Sequence, residues 1–170
     1  MPAVEPQRRR PVKRVAADPA SGAKRTLPMP ETSPRPLLGV SCGLVAEGRL
    51  LLVERGRPPF AGKLSLPGGK LRFGEAVAAA ARRELAEETG AVADNLAFVT
   101  LHEAIDPDFH AVIAVFGGRL MAGSELAAAD DAAALHWLPL ADIEAADAAG
   151  RTTPGLYDVA RKVLATCAEN

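Results

Sequence analysis

Three glutamates crowd one end of a single expected helix. The stretch Gly69 to Ala91 reads GKLRFGEAVAAAARRELAEETGA. Its second half, from about Glu75 to Thr89, is rich in alanine and leucine, both strong helix formers. Gly90 follows where a C-terminal cap glycine belongs. At roughly 100° per residue, Glu84, Glu87 and Glu88 share an arc of about 100° on that helix. Val77, Ala80 and Ala81 lie on the same face one to two turns earlier, so the face changes from small and apolar to acidic.

That change carries an electrostatic cost. Glu84 and Glu88 are like charges at i,i+4, unfavourable by about 0.2–0.5 kcal/mol. Glu87 and Glu88 also sit in the last turn, where the helix dipole disfavours anions by about 0.3–1 kcal/mol each. Arg83 can reach Glu87 at i,i+4 but cannot neutralise three carboxylates. A divalent cation can: Mg²⁺, or Mn²⁺ in its place, takes hard oxygen ligands from a few carboxylates and from substrate phosphates. The competing reading is a solvated acidic helix end, which is what a lone Glu-Glu pair indicates.

The spacing here goes further than a pair. It resembles the Nudix box: Gly, five residues, Glu, seven residues, then Arg-Glu-aliphatic-x-Glu-Glu-x-Gly-aliphatic. Gly69, Glu75, Arg83, Glu84, Leu85, Glu87, Glu88 and Gly90 meet it, and Ala91 stands at the final aliphatic position. Seven fixed identities at background frequencies of roughly 5–10% make a chance match improbable. The resemblance covers about Leu37 to Ala168. It implies a mixed sheet between helices and hydrolysis of a nucleoside diphosphate linked to another group. By resemblance Glu84, Glu87 and Glu88 are the metal ligands, with the backbone carbonyl of Gly69 another. Arg83 then orients the glutamates, and Glu75 holds Arg83 or the loop. The general base is a glutamate of the box or an acid from a later loop, with Glu103, Asp106, Glu125 and Asp131 as candidates.

Substrate contacts are sought among the basic groups around the box. Arg55, Arg57, Lys63, Lys70 and Arg72 flank the expected cleft and any of them could bind phosphate; Arg55, Lys63 and Lys70, with Gly68 of the Pro67-Gly68-Gly69 turn, are taken as the substrate-binding set. Many relatives carry an aromatic residue just before that turn, where this chain has Leu64 and Ser65. Some ADP-ribose-cleaving relatives carry a proline about sixteen positions past the box; Pro107 stands there and turns the reading toward ADP-ribose or a similar nucleotide sugar. A MutT-like nucleoside triphosphate pyrophosphohydrolase is the alternative enzyme, and a non-catalytic nucleotide-binding module is the alternative of another class. His102, His110 and His136 lack metal-ligand spacing; His110 and His136 are expected as strand residues with satisfied hydrogen bonds.

The 170 residues suffice for one domain with a real core, and aromatics are only 4%, so that core is built from Ala, Val and Leu. No apolar run approaches the roughly 18 residues of a membrane span. Cys42 and Cys167 are read as reduced packing residues of a cytoplasmic protein. Charge is uneven: residues 1–36 hold eight Lys/Arg against three acids (+5), the remainder twelve against eighteen (−6). An acidic domain is a poor general nucleic-acid binder; the resemblance implies a small nucleotide substrate as the partner, and a homodimer stays open. Residues 1–36 contain eight of the 14 prolines and are expected to be a disordered basic tail. A targeting segment, a true start at Met29, and RNA or anionic-surface contact through Arg8-Arg9-Arg10 are the alternatives.

From Leu37 the patterning becomes ordered. Leu37 to Glu47 and Arg49 to Glu54 read as a hairpin turning at Gly48. Arg55 to Lys63 is a loop, Leu64 to Leu66 a short strand, and Lys70 to Phe73 a few extended residues. Beyond Gly90, strands are expected at about Leu96–Ile105 and Phe109–Leu120, turning at Asp106-Pro107-Asp108. Met121 to Ala134 reads as a loop, Leu135 to Leu138 as a last strand and Asp142 to Ala149 as a short helix. A terminal helix runs from Thr153 to Ala168, with Thr153 as N-cap and Pro154 at N1. The fold class is α+β, an α/β/α sandwich with a mixed sheet.

Overall fold

The computed structural model describes residues 35–107, 109–128 and 132–169. The chain divides into two units, Met1–Ser33 and Pro34–Asn170, and only the second is described below. Residues 1–34 of the expected tail, Asp108 and the base candidate Asp131 lie outside the described residues.

Seven strands form one sheet: β1 (Leu37–Ala46), β2 (Arg49–Arg55), β3 (Leu64–Ser65), β4 (Gly68–Lys70), β5 (Ala93–Asp106), β6 (Phe109–Leu120) and β7 (Ala132–Leu138). The main order is β3-β2-β1-β6-β5, with β4 also on β1 and β7 on β2. β1 and β6 run parallel, from Leu37 opposite Ala111 to Val45 opposite Arg119, while the other strand pairs are antiparallel. The hairpin β1–β2 turns on Glu47 and Gly48, both at positive φ (49° and 72°). Two consecutive positive φ values match the type I′ turn that suits the right-handed twist of paired strands.

Helices cover both faces. α1 (Val77–Thr89) packs on one, where Leu85 joins Cys42, Leu44 and Leu51, and Ala80 and Ala81 meet Val40 and Phe116. On the other face α2 (Leu140–Ala148) and α3 (Leu156–Glu169) lay Ile143, Val159 and Val163 against Leu50, Leu52 and Val115. This is the expected helix–sheet–helix sandwich. Cys42 and Cys167 are unpaired and buried, as anticipated, and burial pushes the Cys42 thiol up to about 12.

The structure corrects several expectations. Gly68 and Gly69 are not a turn but part of β4, paired with Ser41 and Val40 of β1. α1 starts at Val77 rather than Glu75. Thr153 does not cap α3. Its carbonyl accepts from Leu156 N–H at 3.1 Å, Gly155 turns the chain at φ 77°, and the helix begins after it. β5 and β7 each extend three residues further toward the N-terminus than expected. The ring nitrogens Nε2 of His110 and His136 are buried and make no hydrogen bond, contrary to expectation. They approach Glu103 and Glu54 at 3.8 and 3.4 Å.

Among the described residues, no helix is long and apolar enough to cross a membrane.

Candidate active site

The acidic end of α1 is delivered to β4 by small side chains. Ala80 and Ala81 are wholly buried and hold the helix close against Val40. One turn on, the Glu84 carboxylate lies directly on Gly69, where a Cβ would overlap it. A Cβ on Gly68 would likewise strike Val40 O and the Ser41 backbone. Both glycines are thus required by close approach rather than by turn geometry. Glu88 reaches the same strand: its Oε2 accepts the Gly68 N–H at 2.9 Å.

Arg83 organises the remaining carboxylates. Its Nε and Nη2 donate to the two oxygens of Glu75 at 2.8 and 2.9 Å, a forked pair. Nη1 donates to Glu84 Oε1 at 2.6 Å and to Glu87 Oε2 at 3.0 Å, and Nη2 also to Lys70 O at 3.3 Å. One planar guanidinium therefore fixes three carboxylates and the end of β4, which a lysine could not do. These hydrogen bonds hold the Glu75 carboxyl well below its ordinary 4.5, down to about 2, with the Arg72 N–H adding to the effect. The same partners, Glu75 foremost, raise the Arg83 guanidinium further above its ordinary value.

The helix end itself is closed. Gly90, at φ 67°, donates to Ala86 O at 2.9 Å, and Ala127 N–H reaches Thr89 O at 3.0 Å. The buried Thr89 hydroxyl donates to Leu85 O at 2.6 Å and accepts from Ala91 N–H at 3.1 Å. Carbonyls that would repel Glu87 and Glu88 are thus partly satisfied.

The donor set suits a hard divalent cation: it is all oxygen, and Gly69 lets the Glu84 carboxylate lie against the strand backbone. Among the described residues, however, no three acids converge at cation-ligand spacing. The reason is visible in the hydrogen bonds. Glu84 and Glu87 face Arg83, while Glu88 faces Gly68 N–H.

The sequence matches the NUDIX domain over residues 36–159. The chain belongs to the Nudix family. An ADP-ribose pyrophosphatase of Methanocaldococcus jannaschii is 33% identical over 97 residues, which cover 53% of this chain and 57% of that one. A putative 8-oxo-dGTP diphosphatase 2 of Mycobacterium tuberculosis is 33% identical over 133 residues, covering 76% and 93%. The crystal structure of a MutT NUDIX hydrolase from Burkholderia pseudomallei superposes with a TM-score of 0.65 at 28% identity, over 76% of this chain and 99% of that one. The protein is accordingly a Nudix hydrolase acting on pyrophosphate bonds, in a family that typically uses a divalent metal.

The Nudix box residues come together, whereas the substrate candidates divide. Lys70 is exposed at the end of β4, beside the Arg83 network. Gly68 spends its N–H on Glu88 rather than offering it outward. Arg55 is engaged within the β2–β3 loop through Pro59 O at 3.1 Å, and Lys63 lies over the Phe60 ring at 6.0 Å. Of the base candidates, Glu103 is exposed and pairs with His110, and Asp106 is exposed at the end of β5. Glu125 sits in the loop that crosses the end of α1, its carbonyl so close to Gly90 that a Cβ there would overlap it. Sequence reasoning missed the closure of the helix end by Thr89 and by the 121–128 loop. A threonine four residues after Leu85 and just before the cap glycine was the available signal.

Proposed function

We propose that this Nudix domain, residues 37–170, hydrolyses a nucleoside diphosphate joined to another group, with ADP-ribose or a similar nucleotide sugar as first candidate. The observation that carries the reading is Glu84 and Glu88 drawn onto Gly68-Gly69 by the packing of α1, with Glu87 beside them on Arg83. Glu84, Glu87, Glu88 and the Gly69 carbonyl would hold Mg²⁺ or Mn²⁺. Such an ion offsets phosphate charge and lowers the pKa of bound water.

The protein's own groups have separate tasks. Arg83 orients Glu84 and Glu87, and Glu75 locks Arg83. The glycines let the Glu84 and Glu88 carboxylates lie directly against β4. Lys70 supplies positive charge at the strand end. Water adds to one phosphorus, the anhydride P–O bond breaks, and the water proton passes to a carboxylate. Glu103, Asp106, Glu125 and Asp131 are the acceptor candidates outside the box, and Glu125 lies in the loop whose backbone meets the end of α1 at Gly90.

The jannaschii relative's name and the place of Pro107 in the β5–β6 turn support ADP-ribose. A MutT-like activity on triphosphates is the second reading, favoured by the tuberculosis relative, which matches over more of both chains. A panel of nucleotides with Mg²⁺ separates them. AMP released from ADP-ribose supports the first; preference for a triphosphate with release of pyrophosphate overturns it. Retention of all three glutamates speaks against a non-catalytic module. A basic tail over residues 1–36, a cytoplasmic setting and a homodimer remain proposals, the last to be decided by sedimentation.

A further inference from the structure

Arg72 stands outside the box pattern, yet it touches two box residues. Its backbone is fixed: its N–H donates to Glu75 Oε2 at 3.2 Å, and its carbonyl accepts from Glu75 N–H at 3.1 Å. Its side chain is loose, 62% exposed, with Nη2 donating to Glu87 Oε1 at 3.4 Å. Glu87 is therefore held on both oxygens, Oε2 by Arg83 and Oε1 by Arg72.

The two arginines differ in how readily they let go. Arg83 is 16% exposed and is tied to Glu75, Glu84 and Lys70 as well. Arg72 has one long contact to lose, of the exposed kind that contributes little. A cation approaching Glu87 meets least resistance at Oε1. The Arg72 backbone stays anchored to Glu75, so the displaced guanidinium remains within a side chain's length of the carboxylates, where a substrate phosphate is the new anion it meets.

We infer that Arg72 exchanges partners during the reaction cycle: it covers Glu87 Oε1 while no cation is bound, and binds a substrate phosphate once a cation has taken that oxygen. This rests on the cation and pyrophosphate reading above and adds a substrate-binding residue to it.

The test is the variant Arg72→Gln, with Arg72→Lys beside it. Mn²⁺ affinity is measured on the substrate-free protein from the electron paramagnetic resonance signal of free Mn²⁺. KM and kcat are measured on whichever of ADP-ribose or 8-oxo-dGTP the wild type turns over. Arg72→Gln should bind Mn²⁺ about two- to fivefold more tightly, the scale of a lost surface ion pair. Its KM should rise about three- to tenfold, the scale of a typical net hydrogen bond, with kcat within about threefold. Arg72→Lys should fall between. Unchanged or weaker Mn²⁺ binding overturns the exchange; tighter binding with unchanged KM overturns the phosphate contact. A wild type that binds Mn²⁺ but cleaves no pyrophosphate compound overturns the functional reading instead, and the Mn²⁺ comparison still judges the first half.

Discussion

The Glu84 carboxylate lies where a side chain on Gly69 would begin. The two residues are fifteen positions apart, on α1 and β4, and a side chain at position 69 must displace that carboxylate. Gly69→Ala should force the carboxylate away or lift the helix from the strand. The expected cost is about 1–3 kcal/mol, the usual scale of overpacking, seen as a lower melting temperature. Divalent-cation affinity should fall with it. An alanine variant with unchanged stability and unchanged Mn²⁺ binding would show that the close approach has no role.

Arg83→Lys keeps the charge but removes the fork. A single ammonium cannot serve Glu75, Glu84 and Glu87 together. Turnover should fall about 10–100-fold, the range for a group that orients metal ligands, while circular dichroism stays native. Wild-type kinetics in the lysine variant would reduce Arg83 to a surface charge.

The Glu75–Arg83 pair has a pH signature. Glu75 is held near 2 in the folded protein against an ordinary 4.5, so the folded state favours its ionised form. The stability it contributes is fully present above about pH 4.5 and is lost as pH falls toward 2. Urea midpoints measured between pH 6 and 2.5 should drop more steeply for wild type than for Glu75→Gln. Parallel curves would remove the pair from the acid response.

Glu87→Gln and Glu88→Gln preserve shape and remove charge. Each should lower turnover by roughly 10²–10³-fold, the scale of a lost charge-stabilising contact, with little change in melting temperature. Undiminished rates in both variants would end the assignment of these residues to the chemistry.

What the sequence made legible was whatever depended on local pattern. The end of α1 could be read because Gly90 supplies the left-handed residue that stops it. β6 could be read to the residue because a continuous apolar run, Ala111 to Phe116, follows the Asp-Pro-Asp turn signal. The box glutamates could be read because their spacing puts them on one face. The failures arose where distant residues overrode that pattern. Pro67-Gly68-Gly69 suggests a turn until Val40 and Glu84 are seen to need the space. Thr153-Pro154 suggests a helix start. Yet Thr152 is bridged to Leu64, the backbone N–H and C=O of that residue hold the chain extended, and α3 begins after Gly155. The start of α1 was placed two residues early because Glu75, a good helix former, is instead recruited by Arg83 and by the Arg72 N–H. The Arg83–Glu87 contact follows from its i,i+4 spacing, whereas the pairing of Arg83 with its neighbour Glu84 was not readable from spacing.

The central claim is that the acidic end of α1 takes a doubly charged ion. Titration of the protein with Mn²⁺, followed by the resonance signal of the free ion, tests it most directly. Wild type should remove Mn²⁺ from solution, Mg²⁺ should compete for the same site, and a variant carrying Glu84→Gln, Glu87→Gln and Glu88→Gln together should leave the signal untouched. Equal uptake by both proteins, or none by wild type even with ADP-ribose present, would contradict the account.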